Sequence, residues 1–311
     1  MMAIQARTLK SDALLIITAI IWGFAFVAQR VGMDFVGPFT FNGVRFALGS
    51  ISLIPLLLLA RKKAKPMSEI RQSATIGTTL GGGLITGFAL FMGASLQQAG
   101  LVYTTAGKAG FITGMYVIIV PILGLFWKLY PGAGTWIGAF IATIGLYLLS
   151  VTEQFTISPG DLLVLLGAFF WAGHVLIIGW LSPRIDNIML AMLQFTVCSI
   201  LSLAAAAAIE TISMTGILQA GIPILYGGLG SVGVAYTLQV VAQKDAPPSH
   251  AAIILSTEAV FAAIGGWIIL GEILSTRGLI GCALMLAGML MSQLHSFIFK
   301  KKTINLKSKV V

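Results

Sequence analysis

Charge is what this chain has least of. Only 9% of its 311 residues are Asp, Glu, Lys or Arg, and 58% are hydrophobic, whereas soluble domains carry about 25% charged residues. So few charges exclude an ordinary water-soluble domain. Cysteine and histidine are almost as scarce, with two and three copies. Cys198 and Cys282 both lie inside apolar runs at no metal-like spacing, and read as packing residues rather than as a disulfide framework or a zinc site. His174, His250 and His295 are scattered, no two carboxylates share an apolar segment, and no Ser/His motif or HExxH is present, so no enzyme is expected. The glycine clusters at Gly81-Gly82-Gly83 with Gly87, and at Gly227-Gly228 with Gly230 and Gly233, have no preceding strand and no following Lys-Ser/Thr. They are not phosphate loops and read as close helix crossings. No cofactor and no metal are expected.

What is present is apolar sequence in long runs. Mean hydropathy is +0.98, and a membrane helix needs about 20 apolar residues. Ten segments qualify: 12–30, 38–60, 73–96, 103–127, 133–151, 160–181, 187–209, 216–242, 249–270 and 276–298. They are predicted helices, because lipid-facing backbone must bond within its own segment. The net charge of +9 does not point to nucleic acid, since the positives sit between apolar segments and in the tail. With the N-terminus cytoplasmic, fifteen Lys and Arg fall inside, including the run 61–71 and the tail 300–311, and two, Arg30 and Arg277, fall outside. That bias predicts both termini in the cytoplasm of a multi-pass protein of the cytoplasmic membrane. The run 61–71 is a topology determinant first and an anionic-lipid contact second. Arg7 and Lys10 lead into a long apolar run without a small-residue cleavage site, so the first span is expected to be retained.

The chain also repeats itself. Asp12 and Trp22 recur as Asp161 and Trp171 at an offset of 149 residues. The same offset maps Arg45-Phe46 onto Gln194-Phe195 and Ser50 onto Ser199. Ile137-Gly138 with Gly145 recurs as Ile280-Gly281 with Gly288 at an offset of 143. Five segments per half is an odd number, so the halves cross with opposite topology, a signature of secondary transporters. The expected fold is all-α, ten transmembrane helices as two inverted five-helix repeats.

Three stretches, WGFAFVAQRVGMDFVGPFTFNGVRF, YTTAGKAGFITGMYVIIVP and SHAAIILSTEAVFAAIGGWIILGE with the following GLIGCALMLAGMLMSQ, resemble the EamA-type branch of the drug/metabolite transporter superfamily. The resemblance spans nearly the whole chain and implies two EamA-like units, 1–151 and 152–299, before the basic tail 300–311. It implies export or exchange of small metabolites such as amino acids, by a monomer or homodimer. Where the family often has Pro after the acid of helix nine, this chain has Ala259. A straighter ninth helix is expected.

Glu258 is the leading site residue. A charged carboxylate near the bilayer centre costs roughly 2.5–3.5 kcal/mol on insertion scales, and such groups face a polar interior. On its helix it shares a face with His250, Ile254 and Phe261. It reads as a proton carrier or counterion to a substrate ammonium, or as a structural brace. Arg45 and Lys108 lie at similar depth in the second and fourth helices, suited to a carboxylate or phosphate; Lys108 equally suits snorkelling to the interface. Trp22 with Ala25, Phe26 and Gln29, and Trp171 with His174, Val175 and Ile178, form matched faces for an organic metabolite or for packing. Gln194 repeats the position of Arg45, and Tyr116 and Thr113 stand opposite Glu258 in the first half. Pro121 reads as a pivot or as packing geometry. The expected function is a secondary transporter of a small metabolite, with protons as a candidate coupling ion. The alternative is an exchanger or flippase of anionic cargo held by Arg45 and Lys108.

Overall fold

A computed structural model describes residues 2–63, 76–127, 132–150 and 157–307. Positions 64–71 of the basic run, Lys128 and the end of the tail from 308 lie outside the described residues. The chain satisfies its backbone amides with helix throughout. α1 is Met2–Gly32, and α2 is Pro38–Ser52, resumed after Leu53 as Ile54–Lys63. α3 is Ile76–Leu101, α4 is Ala106–Gly114 with Tyr116–Leu123, and α5 is Ala133–Ser150. α6 is Pro159–Leu181 and α7 is Asn187–Ile209. α8 comprises Gly221–Leu225, a π-helical stretch Tyr226–Tyr236 and Thr237–Ala242. α9 is Pro248–Ser256 with Glu258–Leu270, and α10 is Thr276–Lys307. α1 to α4 and α6 to α9 supply eight stretches long and apolar enough to cross a membrane. α5 and α10 contain the shorter apolar helices Trp136–Leu149 and Thr276–Met291.

Local signals set the helix starts. Proline occupies the first turn of α2, α6 and α9, where its missing N–H costs nothing. Thr105 caps α4 by accepting from the Lys108 amide, and Asp186 caps α7 by accepting from the amides of Ile188 and Met189.

The packing repeats with the sequence. α3 lies on α6 as α8 lies on α1, α3 on α7 as α8 on α2, and α6 on α4 as α1 on α9. α2 packs on its counterpart α7, α4 on α9 and α5 on α10. The glycines sit at these crossings, as expected for small residues in membrane helices. A Cβ on Gly87 would meet Val197 at 2.5 Å, and one on Gly233 would meet Ser52 at 2.6 Å. A Cβ on Gly145 would meet the Gly281 carbonyl at 2.6 Å, and one on Gly288 would meet that of Gly138 at 2.5 Å.

The straighter ninth helix expected from Ala259 is not found: α9 is interrupted at Thr257, directly before Glu258. The Ser256 and Thr257 hydroxyls donate back to the carbonyls of Ile253 and Ile254 at 2.7 and 2.6 Å, competing with the helical ladder. The joint carries i to i−3 bonds, Thr257 N–H to the Ile254 carbonyl and Val260 N–H to that of Thr257. α4 has the same joint at Met115, so Tyr116 and Glu258 each open the second half of a broken helix.

The two ends of the bundle differ. Where α2, α4 and α6 begin, carboxylates from the second half cap helices of the first. Glu210 accepts from the Phe39 and Thr40 amides at 2.8 Å and from the Thr40 hydroxyl at 2.7 Å. Glu272 accepts from the amides of Ala106 and Gly107 at 2.8 and 3.0 Å. Gly271, at φ +64°, turns α9 so that Glu272 can reach them.

Candidate functional site

The broken helices α4 and α9 aim Tyr116 and Glu258 into an interior cavity that α1, α2, α3, α6 and α8 complete. Its centre is Tyr236, at the end of the π-helical stretch. The Trp22 ring lies 4.5 Å from it, those of Phe195, Phe46 and Trp171 at 6.0–6.1 Å, and that of His174 at 6.3 Å. Such tilted and edge contacts between rings are favourable arrangements for their quadrupoles. Hydrogen bonds fix the walls: Trp22 Nε1 donates to the Ser231 carbonyl at 3.3 Å, and Trp171 Nε1 to Gln97 Oε1 at 3.0 Å. Gln97 in turn donates to Gln29 Oε1 at 3.1 Å. The tryptophans related by the repeat therefore hold equivalent places, each tied to the helix packed beside it.

Two ionisable side chains of opposite sign complete the lining. Glu258 is 3% exposed, with the Tyr116 hydroxyl facing its carboxyl. Arg45 is 1% exposed. Its Nε donates to Asn42 Oδ1 at 3.0 Å, and its guanidinium lies 4.9 and 5.5 Å from the rings of Phe46 and Phe41. Among the described residues no carboxylate forms an ion pair with it. The aromatic faces replace part of the lost hydration, while the guanidinium edge lines the cavity.

Six of the eight expected site residues meet here: Trp22, Arg45, Tyr116, Trp171, His174 and Glu258. Gln194 stands one step back, its Oε1 2.8 Å from His174 Nε2. Lys108 does not line the cavity. Its Nζ is 2.6 Å from Asp161 Oδ2 where α4 and α6 begin, and Thr104 donates to the other carboxylate oxygen at 2.6 Å. The shared face of α9 is also redistributed. Glu258 and Leu255 line the cavity, while His250 sits at the start of α9, its Nε2 2.7 Å from Asp12 Oδ1. The sequence reading missed Tyr236, Gln97 and Gln239. A signal for the glutamines was present: an offset of 142 residues relates Gln97 to Gln239 just as it relates Tyr116 to Glu258.

The model of the EamA-like transporter family matches residues 9–151 and again 158–294. An uncharacterized transporter of Archaeoglobus fulgidus is 32% identical over 295 residues, spanning 93% of this chain and 87% of the relative. The uncharacterized inner membrane transporter YedA of Escherichia coli K12 is 25% identical, over 92% of this chain and 91% of its own. YoaV, an uncharacterized transporter of Bacillus subtilis, is 24% identical over 93% of this chain and 98% of its own. A solved crystal structure superposes with a TM-score of 0.68 at 17% identity, covering 93% of this chain and 98% of that one. At that identity the likeness is one of fold.

Proposed function

Because the chain belongs to the EamA-like transporter family, we propose that it is a secondary carrier of the cytoplasmic membrane. In this reading it exports small amphipathic metabolites, amino acids among them, by alternating access to the cavity around Tyr236. The observation that carries the reading is the interior aromatic cavity with Arg45 and Glu258 in its wall. Arg45 receives the substrate carboxylate as a charge-assisted pair. The aromatic rings hold the apolar body. Glu258, with Tyr116 beside it, opposes the substrate ammonium or exchanges a proton with it. The helix joints at Met115 and Thr257 let the outer and inner halves of α4 and α9 swing separately. The units 1–151 and 152–299 are its two repeats, and the bias of Lys and Arg favours both termini in the cytoplasm.

Anionic cargo held by two cations fits less well, because Lys108 is committed to Asp161. The test is metabolite profiling of cells that overproduce the chain, followed by transport of the accumulated compounds in proteoliposomes at several pH values. Substrate-dependent flux that vanishes in Glu258→Gln is the expected result. Full flux with unchanged pH dependence in that variant would show that Glu258 is a brace only.

A further inference from the structure

Two acid–base pairs stand at opposite ends of the bundle, and the repeat relates them. Asp161 at the start of α6 bonds Lys108 at the start of α4. Asp12 near the start of the membrane portion of α1 bonds His250 at the start of α9. Asp12 and Asp161 are the pair related by 149 residues, and Lys108 and His250 are related by the same 142 residues that relate Tyr116 to Glu258. Each pair ties a broken helix to its packing partner, α4 to α6 at one end and α9 to α1 at the other. Between them the lining side chains of the cavity are almost entirely buried.

We propose that these pairs are reciprocal latches of the transport cycle, Lys108–Asp161 closing the outer mouth and Asp12–His250 the inner one. The proposal rests on the alternating-access reading above. With both latches made, the structure is the occluded state. The outer mouth is further tied by the Glu210 and Glu272 caps.

The experiment uses the full chain with Cys198 and Cys282 replaced by Ala and Thr113→Cys as a reporter in the cavity wall. A membrane-impermeant maleimide is applied to right-side-out and to inside-out vesicles. Asp161→Asn is expected to raise labelling from the outer side about tenfold, and Asp12→Asn from the inner side by a similar factor, the loss of one charge-assisted pair. The double variant Lys108→Gln/Asp161→Asn, which leaves no unpaired charge, serves if Asp161→Asn does not fold. Equal labelling from both sides in every variant overturns the proposal. Labelling that behaves as expected while no substrate is carried upholds the latches and sinks the carrier reading. Substrate flux without side-specific labelling does the reverse.

Discussion

The proposed function divides recognition between Arg45 and Tyr236, and their substitutions separate it. A hydrogen bond to a charged group is worth about 1.5–3 kcal/mol, so Arg45→Gln is expected to raise the half-saturation concentration for a carboxylate-bearing substrate about 10- to 100-fold. The decarboxylated amine analogue should be carried by Arg45→Gln as well as by the parent. Competition in proteoliposomes measures both, and an unchanged half-saturation for the carboxylate removes Arg45 from recognition. Tyr236 touches five rings or ring-bearing walls of the cavity. Tyr236→Phe therefore keeps transport within a few-fold, and Tyr236→Ala lowers it by at least about tenfold, since each aromatic contact contributes about 0.5–1.5 kcal/mol beyond burial. Glu258 was legible in the sequence because a carboxylate in an apolar run is conspicuous. Tyr236 was not, because a tyrosine after a glycine-rich stretch looks like any other apolar position until the π-helical turn aims it inward. Lys108 looked like a binding cation because sequence gives depth but not the neighbour, and the neighbour is Asp161 from the other half.

The helices were read from hydropathy almost to the residue at their proline-marked starts, and their glycines were read as crossings. The breaks were not legible. Ala259 removed the expected proline, yet Ser256 and Thr257 interrupt α9 through their own hydroxyls, an effect of side-chain bonding that no hydropathy window reports. Crossing and non-crossing glycines give contrasting expectations. Gly87→Leu and Gly145→Leu force side chains into α7 and α10 and should each destabilise the detergent-solubilised protein by about 1–3 kcal/mol. Gly173, where a Cβ would find no atom within 4 Å, should accept Leu with no change in melting temperature. Equal melting of all three variants would refute the crossings. Glu272→Gln weakens the cap on α4 by about 0.5–2 kcal/mol, read as earlier loss of helicity on heating, and Gly271→Ala does the same by straining the turn that delivers it.

Taken as one object, the molecule is a pseudo-symmetric carrier whose symmetry is broken in chosen places: Tyr116 against Glu258, Gln194 against Arg45, His250 against Lys108. The pairing of halves was legible from seven identical residues at matched positions. Reporter tags at the two ends of the chain should both face the cytoplasm; tags on opposite sides would invert the reading of the Lys and Arg bias. The carboxylate caps add a consequence for biogenesis. The helices that Glu210 and Glu272 cap, α2 and α4, are synthesised well before the residues that cap them. During translation α2 and α4 therefore stand with amides that only Glu210 and Glu272 of the later half can close. A nascent chain stopped after residue 157 should then be cut by an external protease near Gly37 and Thr105, and the same sites should become protected once the chain is extended through Glu272.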